Sequence, residues 1–302
     1  MEVLKRLDEF EKLLNQRAKI VDAALDFYLP RESDYPEKIH RAMRYSALAG
    51  GKRLRPVMVM ESAKLFGLPF EKVLPTACGI EMIHTYSLIH DDLPVMDNDD
   101  YRRGKPTCHK VFGDAVALLA GDALLTHAFS VISKNSRIDG ISPLAVIEVI
   151  ERVACEAGSK GMVGGQTVDI ETTGMSIDKE TLLYIDRHKT GCLICASLWA
   201  GARLAEASKQ DLNVINKYGE KIGLIFQIVD DILDIKGDEK LLGKPIGSDA
   251  KNKKNTFPSL LGFQESLEML ECLCKEAKGL ISEFDGSDFF MNLVDYLKSR
   301  RY

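Results

Sequence analysis

The chain has 302 residues, 45% of them hydrophobic, with 40 Lys and Arg against 45 Asp and Glu and a formal charge of −5. That balance excludes a disordered chain, and the slight acidity argues against a general nucleic-acid binder, which would want a basic face. No run approaches about 18 uninterrupted apolar residues, so a cytoplasmic protein without stable membrane insertion is expected.

The N-terminal MEVLKRLDEFEKLL mixes charge into an amphipathic pattern where a secretory leader would carry an apolar block. Breaks then fall at Pro30 to Pro36, Gly50-Gly51, Gly67 to Pro69, Asp97 to Pro106, Ser133 to Pro143, Thr172 to Ile177 and Gly237 to Asn255. Between them apolar residues recur at three and four positions, which predicts about ten helices and an all-α fold. The strongest stripe is Ile215, Tyr218, Ile222, Ile225, Val229 and Ile232, with Leu224, Phe226, Ile228 and Leu233 off it. A helix that is apolar nearly all round belongs inside a bundle. With no linker, repeat or low-complexity tract, residues 1–302 read as one domain. The seven cysteines are odd in number and lack metal-knuckle spacing, which fits reduced thiols, and the single CxxC, Cys192 to Cys195, reads as buried packing.

Chemistry concentrates in three sets of residues. The first is His90 to Gly104, HDDLPVMDNDDYRRG, whose five aspartates would repel one another without a cation among them. Carboxylates with retained water suit Mg²⁺. Pro94 should end or kink the helix, leaving Asp91 and Asp92 on its last turn and Asp97 just beyond. His84, seven residues before Asp91, falls on the same face of that helix. The second set, GLIFQIVDDILD, steps by 4, 3, 4 through Gly223, Gln227, Asp230 and Asp234, with Asp231 alongside. Carboxylates on a helix built for burial need a cation or another partner. The third set is basic: GGKRLRP with Lys52, Arg53 and Arg55, then Arg102 and Arg103, His188-Lys189-Thr190, and a loop from Gly237 to Asn255 holding five lysines. Singly, each is ordinary surface charge; jointly with two acidic clusters they point to diphosphates bridged by Mg²⁺. The long loop reads as a lid or as a solvated surface segment.

GGKRLRP, EMIHTYSLIHDD, DDLPVMD, RRGKPTCH, GGQTVD, HKTG, FQIVDDILD and LGKPIGSDAKNKKNTFP occur in that order. Together they closely resemble the trans-isoprenyl diphosphate synthases, most of all the bacterial-type farnesyl diphosphate synthases, from about Tyr35 to Leu261. The resemblance implies an all-α bundle of ten or more helices around a central cavity. It assigns Asp91, Asp92 and Asp97 to the first aspartate-rich motif, holding Mg²⁺ on an allylic diphosphate, and Asp230, Asp231 and Asp234 to the second, with Mn²⁺ as the alternative ion. Lys52, Arg55, His84 and Arg103 match positions that grip isopentenyl diphosphate. Arg102, Lys189, Thr190, Gln227, Lys244 and Lys254 match positions around the allylic diphosphate, although NKKNTFP departs from the commoner GKxTYP beside Lys254.

The implied reaction is Mg²⁺-dependent condensation of isopentenyl diphosphate with dimethylallyl or geranyl diphosphate to farnesyl diphosphate, carried out by a homodimer. Tyr86, five residues before Asp91, with Ser87 beside it, is the expected floor of the chain-length pocket. The alternatives are a geranylgeranyl diphosphate synthase, a class I terpene cyclase and a non-catalytic partner subunit of a heteromeric synthase. An HD-type phosphohydrolase, read from His90-Asp91, would leave the second acidic group unexplained.

Overall fold

The computed structural model describes residues 2–236 and 255–300, and the fold is all-α. In chain order the helices are α1 (Glu2–Tyr28), α2 (Glu37–Ala47), α3 (Leu54–Leu65), α4 (Leu74–Asp91), α5 (Cys108–Phe112), α6 (Asp114–Ser133), α7 (Pro143–Ala157), α8 (Met162–Thr172), α9 (Lys179–Ile185), α10 (Cys192–Leu204), α11 (Lys209–Lys236), α12 (Phe257–Leu261), α13 (Phe263–Ile281) and α14 (Asp288–Lys298). A turn of wider π-helix, Asp186–Gly191, joins α9 to α10. Each expected break within the described residues falls between helices; the one at Gly237 to Asn255 lies almost wholly outside them.

The chain falls into two compact units. One comprises residues 1–11, 152–202 and 207–302, and the other residues 12–151 and 203–206. In the second unit α4 packs along α6 and also meets α2 and α3. α4 starts with Pro75 in its first turn, where the missing N–H costs nothing, and it is buried on nearly every side through Ile80, Met82, Ile83 and Ile89. It ends at Asp91, three residues ahead of Pro94, as that proline demands.

In the first unit α11 lies against α13, α14 and the π-turn. Its stripe of Ile215, Tyr218, Ile222, Ile225 and Val229 is buried, and so are Leu224 and Ile228 off the stripe, which is the all-round burial that the pattern predicted. The Tyr218 hydroxyl donates to the Phe290 carbonyl at 2.8 Å, so its polar end is satisfied inside the core.

The run Asp97 to Pro106 holds more order than its composition announced. Tyr101–Arg102 and Lys105–Pro106 pair as a two-strand antiparallel hairpin. The two residues between them, Arg103 and Gly104, both have positive φ (53° and 73°), the conformation that a two-residue type I′ hairpin turn requires. Among the described residues, the segment Asp114–Arg137 is long and apolar enough to cross a membrane, but α6 within it buries Ala117, Ala120, Leu124, Ala128, Val131 and Ile132 in its own unit. The cysteines are free, and burial raises the thiols of Cys192 and Cys195, the latter up to about 12, as expected of packing residues.

Candidate active site

The unit that contains α4 gathers the first aspartate cluster with Lys52, Arg53, Arg55, Arg102 and Arg103. Asp91 and Asp92 close α4, and the Asp97 amide donates to the Asp91 carbonyl at 2.8 Å, which folds the chain back so that Asp97 returns toward the helix end. Asp92 is buried and engaged: Arg102 Nε lies 2.7 and 2.9 Å from its two carboxylate oxygens, and Arg102 Nη2 lies 2.6 Å from Oδ1. Burial of Asp92 outweighs the pull of Arg102 and raises its pKa above the ordinary carboxylate range.

His84 and Arg55 meet across α4 and α3, with Nη1 of Arg55 3.4 Å from Nε2 of His84, while Nε of Arg55 is sealed from solvent without a hydrogen-bond partner. Burial, followed by the charges of Arg55, Arg103, Arg102 and Arg53, drives the His84 pKa well below its usual value. The same crowding lowers Arg55, chiefly by burial. A neutral imidazole set among guanidinium groups is an electropositive pocket that calls for an anion.

The loop before α3 supplies the other wall. Arg103 donates to the Gly50 carbonyl and lays its guanidinium over Gly51, where an added Cβ would fall 2.7 Å from Cζ. Gly51 also sits at φ +120°, so this approach requires glycine. Lys52 follows, half-buried. Arg53 points elsewhere: its side chain is wholly buried, with Nη1 2.7 Å from Glu81, Nε 2.8 Å from Asp22 and Nη2 donating to the Ala47 carbonyl. It is an internal brace rather than a phosphate ligand, a role that spacing alone does not distinguish. A cleft with an empty volume of about 390 Å³ opens beside this cluster, lined by Tyr45, Thr85, Ile89, Asp92, Arg102 and Pro106 among others.

The other unit holds the second cluster. Lys189 and Thr190 lie on the π-turn, a distortion often found at functional sites. Lys189 Nζ is 2.6 Å from Asp169 on α8. The Thr190 hydroxyl donates to the Gln227 side-chain oxygen Oε1 at 3.3 Å, and Gln227 Nε2 donates to Asp231 at 2.9 Å. The other Asp231 oxygen accepts from the Phe257 amide at 2.9 Å. Asp234 is buried, and Asp230 is paired with Arg300 at 3.0 Å. Gly223 performs the thinning expected of it: a Cβ there would lie 2.8 Å from the Gly191 Cα, so α11 rests directly on the π-turn.

Three residues of this cluster were not singled out from the sequence: Asp169, Asp186 and Arg300. Asp186 is buried with Oδ2 lacking a partner, and burial, then the charges of Asp231 and Asp169, raise its pKa well above the ordinary range. Its one sequence signal is an acidic residue opening the HKTG segment. Lys244, Lys254 and almost all of the proposed lid lie outside the described residues. Tyr86 is buried on α4, with its hydroxyl pKa pushed up to about 12 by burial and then by Asp91, and the Ser87 hydroxyl donates to the His84 carbonyl.

The chain resembles known proteins over most of its length. A family model described as "Polyprenyl synthetase" matches residues 36–282. A geranylgeranyl diphosphate synthase from Cyanophora paradoxa is 45% identical over 289 residues, covering 95% of each chain. A farnesyl diphosphate synthase from Geobacillus stearothermophilus is 48% identical over 260 residues, 86% of this chain and 87% of that one. Among solved structures, an FPP/GFPP synthase from Zymomonas mobilis superposes with a TM-score of 0.86 at 37% identity, covering 97% of this chain and all of the other.

Proposed function

The chain belongs to the polyprenyl synthetase family, a group of prenyltransferases that condense isopentenyl diphosphate, and we propose that it builds farnesyl diphosphate from dimethylallyl and geranyl diphosphates. The observation that carries the reading is the electropositive pocket of Arg55, His84 and Arg103 beside the Asp91 to Asp97 turn. Residues 1–302, of which the family model matches 36–282, are read as one functional domain.

The donor set suits a hard divalent cation. All the candidate ligands are carboxylates, and among the described residues no three acidic, His or Cys side chains form a ready-made cage. Mg²⁺ is typically held by one or two carboxylates, with phosphate oxygens completing the shell. Asp91 and Asp97 in one cluster, with Asp92 in support, and Asp230, Asp231 and Asp234 in the other are the residues that would hold it. Bound there, the ions supply Lewis-acid neutralisation of a departing diphosphate.

The remaining work falls to the chain's own side chains. Lys52, Arg55, His84 and Arg103 bind the diphosphate of isopentenyl diphosphate; Arg102, Lys189, Thr190 and Gln227 orient the allylic diphosphate. The C1–O bond of the allylic substrate breaks, the isopentenyl double bond attacks C1, and the proton then lost goes to the released diphosphate. No protein base is required. Tyr86 closes the hydrocarbon pocket at fifteen carbons. Exposed Leu118 and Leu119 on α6 and Leu144 and Ile147 on α7 favour a second copy of the chain as partner.

The test is an incubation of the purified protein with Mg²⁺, isopentenyl diphosphate and geranyl diphosphate, followed by phosphatase treatment and identification of the alcohols. Farnesol is expected, from a preparation that light scattering sizes at twice the 33.6 kDa of the chain. Geranylgeraniol would keep the chemistry and remove Tyr86 as the floor; no product would favour a non-catalytic subunit.

A further inference from the structure

Tyr86 does not share a side of α4 with the aspartates. At 100° per residue, His84, Ser87 and Asp91 fall within about 60° of one another, whereas Tyr86 lies about 140° from Asp91 and about 40° from His90. His90 fixes which way that second side faces, because its Nε2 lies 3.0 Å from the Leu118 carbonyl on α6. The Tyr86 ring stands edge-on to the His90 imidazole, with centroids 5.6 Å apart and planes at 80°. Under the imidazole is Gly121 of α6, where a Cβ would fall 2.1 Å from Nε2 and 2.5 Å from Cδ2. A side chain there would displace the imidazole, so the glycine is what lets it sit in the seam between α4 and α6.

We propose that His90, seated on Gly121 and held to the Leu118 carbonyl, is a positioning residue for Tyr86 and thereby a determinant of product length. The inference rests on the reading of Tyr86 as pocket floor. Tyr86 is buried, so its ring stays put only while its neighbours fill the space around it. His90 supplies one wall of that space from the next helical turn. Take the imidazole away, or unseat it with a methyl group at position 121, and the tyrosine ring gains room to swing aside from the prenyl tail. The effect is steric and reaches the product through Tyr86, so it alters chain length rather than the diphosphate chemistry.

The experiment compares product lengths of the full-length enzyme and its His90→Ala, Gly121→Ala, Tyr86→Ala and His90→Ala/Tyr86→Ala variants under single conditions of Mg²⁺, geranyl diphosphate and isopentenyl diphosphate. Product ratio is read rather than rate, since loss of fold or of metal affinity lowers yield without lengthening the chain. His90→Ala is expected to raise the ratio of the next longer product to the wild-type product by on the order of tenfold, the scale on which small changes in a hydrophobic pocket discriminate. Gly121→Ala should move it in the same direction, and the double variant should match Tyr86→Ala. Unchanged or shorter products from His90→Ala while Tyr86→Ala lengthens them would overturn the proposal and leave the floor intact. A double variant with longer products than Tyr86→Ala would overturn the route through Tyr86. If Tyr86→Ala itself leaves product length unchanged, it is the floor that fails.

Discussion

His84 joins the chemistry of the first cluster to the stability of the fold. Its pKa lies well below the ordinary value, first through burial and then through Arg55, Arg103, Arg102 and Arg53. An unfolded histidine titrates near about 6.5, so below that pH the unfolded chain binds a proton that the folded chain refuses. The contribution is therefore absent as a slope above about pH 6.5, and stability is lost as pH falls from there toward the folded value. His84→Gln should flatten the fall of the urea midpoint between about pH 6.5 and 5; an unaltered slope would assign the acid sensitivity to another group. At this scale the sequence announced His84, Arg55 and Arg102, whose spacing in the motifs is local. It could not announce Asp169 as the partner of Lys189 or Arg300 as the partner of Asp230, because each pair is made by tertiary packing of separate helices. Nor does spacing alone separate Arg53, turned inward to Glu81, from its neighbours Lys52 and Arg55.

Helix geometry carries the second cluster. α11 bears Gln227, Asp230 and Asp234 on the side that its 4, 3, 4 stepping defined, with Asp231 alongside, and Gly223 allows that side to rest on Gly191 of the π-turn. The obstacle at Gly223 is backbone, which cannot rotate away as a side-chain tip can. Gly223→Ala should therefore part the two segments, break the Thr190 to Gln227 bond and cost about 1–3 kcal/mol, the usual range for overpacking. Denaturant unfolding measures the cost, and wild-type stability would mean that the elements separate freely. The 3.6-residue periodicity made these helices legible because burial selects the same repeat that the backbone imposes. The π-turn and the hairpin escaped it, since a single widened turn leaves no periodic trace and Arg103-Gly104 is a weaker hairpin signal than Asn-Gly or Asp-Gly.

Across the whole molecule, fold class and family were readable because several ordered motifs span most of the chain, and the family model covers residues 36–282. The division into two compact units was not, because no linker composition marks it. Both units nevertheless use one arrangement: Arg102 is occupied by Asp92 and Asp99, Lys189 by Asp169, and Arg300 by Asp230. Each of these three cations thus already has an anion. At these pairs an incoming diphosphate would have to evict a carboxylate, and an incoming metal ion a guanidinium or an ammonium, so either alone would face a resident competitor. Arriving together they would exchange partners at these pairs, with metal to carboxylate and phosphate to cation. On the proposed function, binding at these pairs would be a double displacement in which metal and diphosphate each clear the way for the other, a reciprocal coupling of the kind linkage demands. Calorimetric titration should find inorganic diphosphate bound at least about tenfold more tightly with Mg²⁺ than with chelator, a coupling of about 1.4 kcal/mol; equal affinities would mean that the built-in pairs offer no resistance.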